Sequence, residues 1–150
     1  MESALNCLRA DDSYQITVLE KPDVGRILLV GIGGFIGSIL RYVLGGYVQQ
    51  WTRSVDFPYG TLAVNLTGCL IIGFLSYLAE TRGIFTAESR AFIFIGLLGG
   101  FTTFSSFGNE TINLWRDGES FFALANIAAH LVFGLGAVWL GRVAAYLIWR

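Results

Sequence analysis

The chain has 150 residues, of which 54% are hydrophobic and 14% charged, with a formal net charge of −1. An ordinary soluble domain carries about 25% charged residues, so there is too little polar surface here to clothe a water-soluble fold. The near-neutral charge and the lack of a basic patch leave no footprint for nucleic acid. Nineteen Gly against two Pro suit helices packed closely in lipid. The length fits one domain. Cys7 and Cys69 stand in unlike settings and imply neither a disulfide framework nor a metal site.

Residues 1–24 differ from the rest. They hold Glu2, Asp11, Asp12, Glu20 and Asp23 against Arg9 and Lys21. A secretory signal has a basic start and an apolar core of about 7–15 residues, and neither is found. The segment reads as an extra-membrane tail, with a short strand or helix around residues 14–19 left open. Residues 25–150 read as the membrane domain.

Four apolar segments follow, over about residues 27–48, 59–78, 91–114 and 121–147. At roughly 1.5 Å per residue each crosses a hydrocarbon core of about 30 Å as a helix. Pro58 ends anything helical before the second. Helices of a soluble bundle would each show a charged face, and these show almost none. Trp51, Trp115, Trp139 and Trp149 lie at or near segment ends, as an interfacial aromatic belt requires. An even number of spans puts both ends on one side. That side holds Arg26, Arg82, Arg90, Arg142 and Arg150, the other Arg53 and Arg116, which places both ends in the cytoplasm.

Polar side chains inside a membrane face a partner helix or a water-filled path. In the second span Thr61, Asn65 and Gly68 share a face. In the third, Ser105, Ser106, Asn109 and Glu110 lie in the second half. In the fourth, Asn126 and His130 are four apart and share a face. Any one of them can serve as interhelical glue; together they trace a polar stripe through three helices, which favours a conduit. His130 reads as a hydrogen-bonded pore or interface residue rather than a metal ligand or proton relay, since the chain has no second His. Glu110 reads as lying near the aqueous end of its span, close to Trp115 and Arg116. Arg41 has two readings, a lure for anions at a vestibule or an anchor reaching for the interface.

The third span carries a weak point. Gly99-Gly100-Phe101-Thr102-Thr103 puts two glycines and two β-branched residues where a helix is hard to sustain. Unwound backbone at membrane depth is tolerated only where protein covers it or a cavity adjoins it, and its carbonyls can take a cation. One break has too few oxygens for a closed shell; two breaks facing across a two-fold axis have more. A plain kink at Gly-Gly is the alternative. Phe104 and Phe107 are three apart on one face. An aromatic edge is electropositive, so inward edges can touch an anion; ordinary packing is the alternative.

Three motifs resemble the Fluc (CrcB) fluoride channels: Gly33-Gly34-Phe35-Ile36-Gly37 with Arg41-Tyr42, the run from Gly60 through Asn65 to Gly68 with Gly73, and Gly96 to Phe107 ending at Glu110. The resemblance covers residues 26–149. It implies an all-α integral membrane protein with four transmembrane helices, the third broken, in an antiparallel, dual-topology dimer. It implies two fluoride pores along the subunit interface and a structural sodium ion on the two-fold axis, held by backbone oxygens at Gly99 and Thr102. Phe104, Phe107 and Asn65 would line the pore, with Ser105, Ser106 and Thr61 on the polar track. Asn126 and His130 stand where many relatives place Tyr and Ser, and with Arg41 and Glu110 they are candidates for pore or vestibule. The function implied is passive export of cytoplasmic fluoride across the plasma membrane (the inner membrane of a Gram-negative cell), with no catalysis. The second subunit would be an identical copy or an oppositely oriented paralogue. A proton-coupled multidrug exporter is the rival, but it needs a central carboxylate in the first span, where Arg41 stands. A non-transporting assembly subunit is the other.

Overall fold

The computed structural model describes residues 23–149; the acidic segment and the element expected around residues 14–19 lie outside them. Val24–Thr52 forms α1 and Tyr59–Arg82 forms α2. The third span comes in pieces. Ala87–Arg90 is α-helical, Ala91–Leu98 is π-helical and Gly99–Phe101 is α-helical again. The backbone stays helical through both joins, and the whole is α3 (residues 87–101). Phe104–Arg116 is α4 and Ser120–Ile148 is α5. Four spans, with α3 and α4 together as the third, are long and apolar enough to cross a membrane. Their large apolar side chains, among them Ile32, Phe35, Val132, Leu135 and Trp139, stand exposed on the outer faces, as in a protein whose solvent is lipid.

Tight turns join the spans. Arg53, Gly83 and Gly118 adopt positive φ at the ends of α1, α2 and α4, the left-handed stop common after a helix. Gln49 fastens the first turn. Its Nε2 donates to the carbonyls of Ser54 at 2.7 Å and Phe57 at 3.1 Å, and its Oε1 accepts from the Gly60 amide at 3.0 Å.

The helices pair as α2 with α5 and α1 with α3, and glycine sets both distances. A Cβ at Gly33 would meet the Phe92 carbonyl at 2.5 Å, one at Gly96 the Val30 carbonyl at 2.8 Å, and one at Gly100 the Gly34 carbonyl at 2.7 Å. Gly37 is tighter still, against Leu97 and Phe101 backbone. Across the bundle Gly73 lies on Val138 and Gly141 on Leu70. Backbones in van der Waals contact are what lipid-embedded helices gain from small residues.

The break is narrower than the sequence suggests. Gly99 and Gly100 are helical; only Thr102 (φ −82°, ψ 159°) and Thr103 (φ −150°, ψ 110°) leave the helix. Gly100 is there to let α1 approach rather than to unwind α3.

Gly37→Ala is therefore expected to cost about 1–3 kcal/mol by overpacking, seen as a lower unfolding midpoint in detergent. Gly136→Ala, into open space, should leave that midpoint unchanged or raise it.

Candidate functional site

Breaking a helix in a membrane strands backbone groups, each costing several kcal/mol if unpaired. The Thr103 amide would have continued the ladder onto the Gly99 carbonyl. It donates instead to Asn65 Oδ1 at 2.8 Å, and Asn65 Nδ2 returns a bond to the Thr103 carbonyl at 3.1 Å. The side-chain amide of α2 thus pairs with the broken strand as a neighbouring peptide would. Thr103 then caps α4: its Oγ1 accepts from the Ser106 amide at 3.2 Å and bonds the hydroxyls of Ser106 at 3.0 Å and Ser105 at 3.3 Å. The N-terminus of a thirteen-residue helix consequently opens at the middle of the third span. A helix N-terminus carries about half a positive charge and unpaired amides, a setting that favours anions. The C-terminus of α3 presents the opposite polarity on the other side of the same break.

Two cavities meet at this point, and Thr103 lines both. One, of about 410 Å³, is bounded by Asn65, Thr102, Phe104, Phe107 and His130. His130 Nε2 lies 3.1 Å from Asn65 Nδ2, and its Nδ1 lies 3.0 Å from the carbonyl of Asn126 one turn back. Phe107 lies against His130 with centroids 4.3 Å apart and the rings tilted by 39°, and Phe104 against Phe107 at 5.4 Å, tilted by 58°. The other cavity, of about 440 Å³, holds Arg41, Gln49, Thr61, Ser106 and Glu110. There Thr61 Oγ1 donates to Glu110 Oε1 at 2.6 Å, and Glu110 Oε2 is buried without a partner. Arg41 Nη1 reaches the Thr102 carbonyl at 3.5 Å.

Most of the polar residues singled out in three spans therefore gather around one break. Asn109 is exposed and lines neither cavity, and Asn126 also stands apart. Its side chain is fully buried and turned to Thr111, its Nδ2 donating to Thr111 Oγ1 at 2.9 Å. It ties α5 to α4, and only its backbone carbonyl reaches the cluster. Glu110 is tied across to Thr61 in the first turn of α2. Sequence reasoning missed Thr103 as the hub and Gln49 as the turn fastener. The spacing of Thr103 and Ser106, a hydroxyl three residues ahead of the amide it caps, was the available signal. On this single chain the track is open along one side: Phe104 is 82% exposed, and Gly99 and Ser105 are also exposed.

Residues 28–142 match the family described as CrcB-like protein, Camphor Resistance (CrcB). The chain belongs to the CrcB family. It is 46% identical over 119 residues to the fluoride-specific ion channel FluC 1 of Methanosarcina acetivorans, covering 79% of this chain and 89% of that one. It is 48% identical over 120 residues to FluC of Opitutus terrae, covering 79% and 90%. With FluC of Desulforapulum autotrophicum the identity is 41% over 123 residues, covering 82% and 98%. The matched CrcB region takes in α1 from Leu28, the break and most of α5, so the whole site falls inside it. The resemblance drawn from the three motifs is thereby established.

Because Asn65 closes the break, Asn65→Leu, of similar size, should lower the unfolding midpoint by an amount matching about 1–3 kcal/mol per stranded group. Thr61→Val in the second cavity should cost less. Thermal scans of both in detergent test the order.

Proposed function

We propose that this protein is a passive, fluoride-selective channel that lets cytoplasmic fluoride leave the cell down its electrochemical gradient. The observation that carries the reading is the clasped break at Thr102 and Thr103, which gathers a helix N-terminus, an amide, three hydroxyls and two phenylalanine rings in one span. Fluoride is small and strongly hydrated. A pore for it must replace water with donors placed at the right size. Amides, hydroxyls and aromatic edges supply partial positive charge for this. Relatives named as fluoride-specific ion channels support the same substrate.

The open side of the track supports a second subunit. A copy in antiparallel orientation, or an oppositely oriented paralogue, would cover Phe104 and Ser105 and enclose two equivalent paths lined by Asn65, Phe104, Phe107, Ser105, Ser106 and Thr61. The same contact would bring two breaks together. Thr102 is extended and its carbonyl leaves the ladder for Arg41 Nη1 at 3.5 Å, a long bond that a cation on this oxygen would displace, while the Thr103 amide is spent on Asn65 rather than on the Gly99 carbonyl. Gly99 is exposed and Thr102 half-buried. Neutral carbonyl oxygens suit a hard cation, so the residues fit a structural sodium ion held at Gly99 and Thr102 of both subunits. Such an ion would offset anionic charge beside the path. The plasma membrane is the setting in which export relieves fluoride toxicity: HF enters from weak acid, and the anion is trapped at neutral pH.

In liposomes loaded with fluoride and chloride, the purified protein with valinomycin should release fluoride fast, with little chloride. Phe104→Ile and Asn65→Ala should slow release by about tenfold or more, on the order of 1.4 kcal/mol each, while the subunits stay associated. Chloride release at a similar rate, or no release, contradicts the reading.

A further inference from the structure

His130 is pinned from both sides in one protonation state. The oxygen and nitrogen of an Asn amide are alike in shape, but Thr103 decides between them. A backbone N–H only donates and a carbonyl only accepts, so Oδ1 of Asn65 is the atom on the Thr103 amide and Nδ2 the atom on its carbonyl. The second hydrogen of Nδ2 points to His130 Nε2 at 3.1 Å, which must accept it. The Asn126 carbonyl, 3.0 Å from Nδ1, can only accept, so Nδ1 holds the proton. The ring is neutral with its hydrogen on Nδ1, and both hydrogens of the Asn65 amide are spent.

An anion reaching Asn65 then finds no free hydrogen there. The Thr103 carbonyl cannot yield its share without reopening the break. His130 can. A proton on Nε2 turns an acceptor into a donor, and two donors 3.1 Å apart repel unless an anion separates them. We propose that His130 sets the fluoride affinity of Asn65 through its own protonation: neutral, it competes with fluoride for the Nδ2 hydrogen; protonated, it donates to fluoride together with Asn65. The proton is taken from the aqueous phase and stays on the ring while fluoride passes, so the current depends on pH without protons being carried. Phe107, tilted 39° to the ring with centroids 4.3 Å apart, lies within cation–π distance of the resulting cation.

The surroundings leave this titration to His130. On α2, Cys69 shares the cavity. On α4, Glu110 is held by Thr61 in the other cavity. On α1, Arg41 reaches the Thr102 carbonyl. α3 contributes Phe94, Leu98 and Gly99 to the cavity. On α5 itself, Arg142 lies about three turns away and is bound to Glu80 at 3.1 and 2.5 Å.

The inference rests on the fluoride-channel reading, and one experiment separates the two. Fluoride current through the purified full chain is measured in planar bilayers, where neutral HF crosses lipid without carrying current. On acidification from about pH 7.5 to about pH 4.5, a window that runs through and below the ordinary histidine range, wild-type current should rise about threefold or more. His130→Gln, whose amide can offer donor or acceptor at any pH, should give a current that does not change over this range. The same pH response in both proteins, or a wild-type current that falls on acidification, overturns the role of His130. No fluoride current at either pH overturns the channel reading and this inference with it. A second readout does not need conduction. His130 is the only histidine of the chain, so histidine ¹⁵N labelling gives one pair of ring signals. At neutral pH without fluoride they should show Nδ1 protonated and Nε2 bare; a ring protonated on Nε2 alone overturns the assignment.

Discussion

A helix interrupted inside a membrane has to account for each backbone group it strands, because lipid offers no partner. Here Asn65 meets the part of that demand that falls on Thr103. Asn65 gives Thr103 both an acceptor and a donor, at 2.8 and 3.1 Å, and so makes an extended residue tenable at membrane depth. Most other features of the site follow from that pairing. α4 can start at Phe104, Thr103 can cap it, and the positive end of a helix can open where a continuous rod would show only methyl groups and rings.

The clasp depends in turn on how closely the helices approach. Gly33, Gly37, Gly96 and Gly100 bring α1 and α3 together backbone to backbone, which carries Arg41 to the Thr102 carbonyl. Gly73 and Gly141 do the same for α2 and α5, which holds Asn65 and His130 at hydrogen-bond distance. Small residues far from the polar cluster thus fix its geometry. At the end of the bundle where α1 and α3 begin, Arg26 pairs with Glu88 at 3.9 Å, and Arg142 pairs with Glu80. Two of the arginines that bias orientation are therefore bound to carboxylates. Carboxylates contribute little to orientation during insertion, so the pairing bears on the folded end of the bundle more than on the choice of topology.

Much of this was legible in the sequence, for physical reasons that can be named. Four apolar stretches of spanning length need no tertiary information, and each lies within an observed span. Asn65 and His130 stood out because amide and imidazole groups are costly in lipid. The break falls at Thr102-Thr103, the second half of the weak stretch, while Gly99-Gly100 stays helical; low helix propensity marks where unwinding is cheap, whereas close approach of α1 explains Gly100. The partner that stabilises the break lies 38 residues away in sequence, and no local pattern reveals it. Asn126 shows the same limit: helical periodicity placed it beside His130, but its rotamer takes it to Thr111 on another helix.

The central claim is that the clasped break selects fluoride. The most direct test is the reversal potential of the purified protein in a planar bilayer with fluoride on one side and chloride on the other at equal pH. A fluoride-selective path gives a potential that follows the fluoride gradient and ignores chloride. A potential near zero, or one that follows chloride or protons, would contradict it.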